Sequence, residues 1–371
     1  MSSKLIVAGA GSGKTTWLVK EALKITDEKI LITTFTDANE RGIREMFFKL
    51  HGCIPANVTI MTWFAFLLRH GVRPYQSVIY DDKIKGMLLV SSKSGFKHML
   101  YGRPIYYGEK DTEPFYLSKS KKIYSDKIAR FVFRANECTK GLVIDRIRRI
   151  FPNFFIDEVQ DMAGYDLELI KLLYQTDINL LMVGDPRQVT YHTHDEALNK
   201  KYSDGNIADF LREKCKSASL DDTLLSCSHR NTPEICRLSN MVFPNYPQVS
   251  GTERPCTEHD GIFLVSPKDV ERYISTYHPM QLRDKRTVKV STNAPAINFG
   301  DAKGLTFERV LIYPTKPMQQ WIKDQSSELA PKSRAKLYVA ITRACYSVAF
   351  VDDSIDADNL GFIQRWNWKE S

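Results

Sequence analysis

Ala8-Gly9-Ala10-Gly11-Ser12-Gly13-Lys14-Thr15 lies between a short apolar run at 5–8 and a stretch of helical character from about residue 15. Three glycines, two alanines and a serine let backbone N–H groups wrap an anion where a helix begins. Working outward, the alternation continues. Residues 29–34 read as a buried strand, 37–50 as a polar helix, and 58–61 as a third strand running into a helix over 63–70. Such alternation predicts an α/β fold with a parallel sheet flanked by helices. It breaks over 74–141, which reads as a mainly helical insertion. It resumes with a strand at 153–156, a helix at 165–174 and a strand at 179–183. A second alternating run has strands at 223–226, 261–265, 287–290, 309–313 and 347–351, with a helix from Pro233.

The chain has 371 residues, enough for two domains with sizeable cores. Apolar residues make up 43% and charged residues 26%, the balance of a globular protein. No signal peptide or membrane span is read, and the seven scattered cysteines suit reduced thiols, so a cytoplasmic location is expected. The net charge of +8 is localised. Between Lys83 and Lys140 thirteen Lys and Arg face five Asp and Glu, and the rest of the chain balances. This surplus is interleaved with Tyr101, Tyr106, Tyr107, Phe115, Tyr116 and Tyr124, a mixture suited to a polyanion with stackable bases. Lys119, Lys121 and Lys122 are its densest part, and a merely solvated helical face is the competing reading.

Phe154-Phe155-Ile156-Asp157-Glu158-Val159-Gln160-Asp161 supplies what the glycine-rich loop needs to become an ATPase site. Lys14 would reach the β and γ phosphates, while Thr15 and Asp157 would hold Mg²⁺. Glu158 would then orient and deprotonate the attacking water.

Together these two motifs resemble the UvrD/Rep-like helicases of superfamily 1. Further segments resemble that family's motifs in order: Thr34 to Glu40, Thr62 to Phe66, Val183 to Tyr191, Leu225 to Thr232, Ala302 to Phe307 and Leu337 to Ala344. The resemblance implies two tandem RecA-like P-loop domains, 1–215 and 216–371, with ATP bound between them. It implies Glu158, Gln188, Arg230 and Arg343 as catalytic groups, both arginines neutralising charge on the γ-phosphate. Gly11, Ser12, Gly13, Lys14, Thr15, Thr16, His229 and Gly304 would bind the nucleotide. Phe35, Thr36, Trp63 and Tyr191 would contact DNA, joined by Lys119, Lys121 and Lys122.

Departures from the family's pattern carry expectations of their own. No adenine-reading glutamine precedes the first strand, and His229 stands where a stacking tyrosine is usual, which implies relaxed nucleotide choice. Thr306 replaces a common glutamate, and Thr193 occupies the place of a second base-stacking aromatic. The interval between Arg230 and Lys303 is too short for the family's large accessory domain. The expected function is ATP- and Mg²⁺-dependent translocation on single-stranded DNA in the 3′ to 5′ direction, with duplex junctions as further substrates. The alternative is a DNA-stimulated ATPase switch beside a partner such as a nuclease. A P-loop nucleotide kinase is weaker, because it leaves the arginine-bearing motifs unexplained.

Overall fold

The computed structural model describes residues 3–190, 198–203, 205–215, 218–357 and 360–367. The chain divides into two compact units, one of residues 1–5, 15–184 and 192–220, the other of 6–14, 185–191 and 221–371. Both rest on mainly parallel sheets, the α/β architecture expected of tandem RecA-like domains.

In the first, the sheet runs in the order Ser219–Asp221, Lys4–Val7, Asn179–Gly184, Asn153–Ile156, Ile30–Thr34, Val58–Thr62. Ile30–Thr34 pairs in parallel with Val58–Thr62 on one side and Asn153–Ile156 on the other. Every residue of Ile30–Thr34 and of Asn153–Ile156 is buried, as strands covered on both faces require. Helix Asp37–His51 starts where the Thr36 hydroxyl accepts the Asn39 N–H at 3.1 Å, and it stops at left-handed Gly52. The helix expected over 63–70 is one α turn, Trp63–Phe66, continued as a π-helix, Leu67–Val72. Gly71 is needed there, because a Cβ would lie 2.5 Å from Val132 Cγ2.

The insertion is not mainly helical. Gly86–Leu88 pairs in parallel with Lys122–Tyr124, and Phe96–Leu100 forms an antiparallel hairpin with Arg103–Tyr106. Tyr101 and Gly102 both take positive φ, 48° and 75°, the twist a two-residue hairpin turn demands. Helix resumes at Thr112–Tyr116 and Ile128–Cys138. The latter buries Ile128, Phe131, Val132 and Ala135, an apolar stripe at helical spacing.

In the second unit the sheet order is Ala296–Asn298, Met280–Arg283, Phe307–Ile312, Ala344–Val351, Gly261–Val265, Gln364–Arg365. Leu264, Leu282, Val310 and Val348 meet Ile235 and Leu238 of helix Pro233–Val242, and Leu337 and Ile341 of helix Pro331–Ile341. Two expected strands are absent from their places. Residues 223–226 are turn and bend, because the Asp221 carboxylate accepts the Thr223 and Leu224 N–H groups at 3.1 and 3.0 Å. Residues 287–290 form a loop whose Val288 N–H donates to the Lys285 carbonyl. Instead Ala296–Asn298 forms the edge and pairs in parallel with Met280–Arg283, and buried Gln281 organises the loop between them through Ser291 and Ala294.

Candidate nucleotide site and nucleic-acid surface

In the first unit, strand Asn153–Ile156 delivers Asp157, almost wholly buried, to the head of helix Lys14–Leu23. The Thr15 hydroxyl donates to Asp157 Oδ2 at 3.0 Å, so the two groups expected to hold a cation are together. Hydroxyl and carboxylate oxygens are the hard donors Mg²⁺ takes, and it usually completes its shell with water and phosphate. The donor set fits, and among the described residues no group of three or more His, Cys, Asp or Glu forms a competing cage.

Glu158 takes φ 56° and ψ 40°, a left-handed conformation that a residue with a side chain adopts at a cost. Its own N–H donates to Asp157 Oδ1 at 3.0 Å, and Gln160 Nε2 donates to its Oε2. Gln160 was not among the expected site residues. Its amide oxygen packs so close to Gly184 that a Cβ there would lie 2.4 Å away. The Thr16 hydroxyl turns toward Met46 Sδ at 3.6 Å.

Phe35 follows strand Ile30–Thr34, half-buried and edge-on to Phe64 at 5.5 Å, and Thr36 caps the next helix. Trp63 is a correction. It is 0% exposed, donates through Nε1 to Asp166 Oδ1 at 2.7 Å and packs on Phe66 and Phe154. A ring enclosed this way belongs to the core and offers no face to a strand of DNA. Tyr191 and Thr193 lie outside the described residues.

Lys119 and Lys122 are exposed, whereas Lys121 sits in a left-handed turn with Nζ 2.6 Å from Glu113 Oε1 and 2.7 Å from the Tyr80 hydroxyl. Part of the basic surplus is compensated too. Glu109 accepts from Arg130, Arg134 and the Tyr116 hydroxyl. Burial alone would raise the Glu109 carboxyl, but these donors hold it below its usual range. The stretch that carries the hairpin has no acidic residue to offset its charge in sequence: residues 83–108 contain Lys83, Lys85, Lys93, Lys97 and Arg103 and no Asp or Glu. At the hairpin's tip Tyr101 is 96% exposed, beside exposed Met99 and Leu100.

In the second unit the phosphate-type loop is closely fitted. Gly11 (φ 74°) and Gly13 (φ 81°) take conformations that favour glycine. A Cβ on Gly11 would lie 2.4 Å from Ser228 Oγ and 2.7 Å from Arg230 Cβ. One on Gly13 would lie 3.6 Å from the His229 ring, so the expected nucleotide residue stands against the loop. Lys14 Nζ donates to the Ala8 and Gly9 carbonyls at 3.1 and 2.8 Å, and the Ser12 hydroxyl donates to Gly9 at 2.9 Å.

Arg343 is buried, donating to the Val339 and Leu305 carbonyls and, at 3.1 Å, to Gln188 Oε1. Two expected catalytic groups thus touch. Arg230 donates to the Thr342 carbonyl at 3.4 Å, and Asn231 binds the Thr342 and Ala344 carbonyls, which draws the two arginine segments together. Gly304 takes φ 84° just before Leu305. Asn231 carries much of this arrangement, as do Asp185, which accepts from Gln188 Nε2 at 2.8 Å, and Tyr338, whose hydroxyl donates to Asp185 at 3.1 Å, yet the sequence alone assigns them no role. Only their place beside the motif residues hinted at one.

The class these features define is a nucleotide-binding helicase core, and an AAA domain model matches residues 2–194. A model described as the viral superfamily 1 RNA helicase core domain matches residues 114–352, and the chain belongs to that family. No curated protein sequence matches it. Among solved structures it is similar to the Arterivirus nonstructural protein 10 helicase, at 18% identity and a TM-score of 0.46, covering 94% of this chain and 59% of that one. The complex of that helicase with DNA gives 14% identity, a TM-score of 0.46, and 95% and 60% coverage. The chain therefore spans about three fifths of the length of these helicases.

Proposed function

We propose that this chain hydrolyses ATP and uses the energy to move along single-stranded nucleic acid. The observation that carries the reading is the Thr15–Asp157 contact at 3.0 Å, with Glu158 held next in the chain in a strained backbone conformation. Thr15 and Asp157 would hold Mg²⁺, which would neutralise phosphate charge when bound. Glu158, steered by Gln160, would take the proton of the attacking water. Lys14 would meet the phosphates, His229 would flank the nucleotide, and Gln188, Arg230 and Arg343 would answer charge on the γ-phosphate. Contact with the strand would come from Phe35, Tyr191 and the basic insertion, with Thr36 at the edge of that surface.

The family model supports a superfamily 1 core, and the motif order supports the finer UvrD/Rep-like reading, which implies DNA and 3′ to 5′ movement. The description of the viral family favours RNA as a second strand chemistry. Purified protein should therefore be assayed on both. Strand-stimulated hydrolysis should require Mg²⁺ and vanish in Lys14→Ala. In Glu158→Gln it should fall at least a hundredfold while nucleotide binding persists. Near-normal turnover by Glu158→Gln would remove Glu158 as the base.

A further inference from the structure

The second unit contains a buried run of hydrogen bonds that joins the glycine-rich loop to the arginine of the last motif. The Ala10 N–H donates to the Tyr338 hydroxyl at 3.1 Å. That hydroxyl donates to Asp185 Oδ2, also at 3.1 Å. Gln188 Nε2 donates to the same Asp185 oxygen at 2.8 Å, and Gln188 Oε1 accepts Arg343 Nη2 at 3.1 Å. All five residues are less than 5% exposed. Each donor has an acceptor in the right sense, so the run is continuous from loop to arginine.

The middle of this run is rigidly held. Arg187 Nε lies 2.7 Å from Asp185 Oδ1, and its guanidinium covers the Tyr338 ring at 5.3 Å. Phe243 meets the same ring edge-on at 5.5 Å. Asp185 stays ionised despite burial, because the charges of Arg187 and Lys14 hold its carboxyl below the ordinary value. A fixed carboxylate can serve Tyr338 and Gln188 at once, so displacing one redirects the other.

We infer that Tyr338 is a positioning residue: its hydroxyl sets Gln188 and Arg343 according to where the Ala10 N–H of the phosphate-binding loop lies. The inference rests on the ATPase reading of this site. A tyrosine is suited to it because its one hydroxyl both accepts from the loop and donates to Asp185. Burial of the hydroxyl keeps water from substituting for either bond.

The test is Tyr338→Phe, which keeps the ring and removes only the hydroxyl. Strand-stimulated kcat should fall tenfold or more, with KM for ATP within about threefold and the melting temperature within a few degrees. Combining it with Arg343→Lys should add little beyond the worse single variant, since both act on one run of bonds. Should the phenylalanine variant not fold, Asp185→Asn should give the same split between kcat and KM. A kcat within twofold of wild type, or multiplicative effects in the double variant, would overturn the inference. Wild-type protein without any hydrolysis would instead overturn the ATPase reading itself.

Discussion

Trp63 illustrates how a single residue can satisfy a motif and still do different work. Its indole occupies the core beside Phe66 and Phe154 and donates to buried Asp166 at 2.7 Å. Trp63→Phe removes that donor and part of the ring volume. It should cost about 2–4 kcal/mol of unfolding free energy, read by denaturant titration. The affinity of the folded fraction for a single strand should be unchanged, because the side chain reaches no surface. Gly11 is fixed for a related reason. Its positive φ and the nearness of Ser228 and Arg230 leave no room for a Cβ, a demand visible only once residues 217 positions apart meet. Gln160 is similar: it was legible as a motif letter, whereas its bond to Glu158 needed coordinates.

At the level of elements the insertion gives three predictions. Neutralising Lys119, Lys121 and Lys122 together should weaken strand binding and flatten the slope of log affinity against log salt by up to ~0.7 for each phosphate no longer neutralised. Lys119 and Lys122 should account for most of that change, since Lys121 is already paired with Glu113. Tyr101→Ala at the hairpin tip should lose ~1–3 kcal/mol of binding if a base stacks there, with the salt slope intact. Equal affinity in both variants would leave the insertion as a solvated or partner-facing surface. The third prediction concerns pH. The Glu109 carboxyl is depressed, so its contribution to stability is fully present above the ordinary glutamate pKa and disappears as pH falls through the folded value. Glu109→Gln should melt lower than wild type at neutral pH, and the gap should narrow below about pH 4. The hairpin itself was missed because aromatic and basic residues hid its alternation, and the left-handed pair Tyr101-Gly102 was the signal that could have revealed it.

For the whole molecule the decisive measurement is movement. Streptavidin should be displaced from biotin at the 5′ end of a single strand much faster than from the 3′ end, as the UvrD/Rep resemblance implies. The reverse preference would assign the opposite direction. Displacement from neither end, with hydrolysis intact, would favour a strand-sensing ATPase switch.

The sequence by itself determined the α/β alternation, the order of the motifs and the chemical types of the residues at the candidate nucleotide site. Those are local properties: apolar runs fix strands, and a glycine-rich turn ahead of a helix creates an anion site wherever it occurs. Tertiary structure decided which motif residues are core, as with Trp63. It also decided which charges in the basic insertion are compensated, and that Ala10, Tyr338, Asp185, Gln188 and Arg343 form one buried run. Burial and hydrogen-bond partnership depend on segments far apart in the chain, so no local pattern encodes them. Residues 10 and 338 share an environment only after the strands between them have paired.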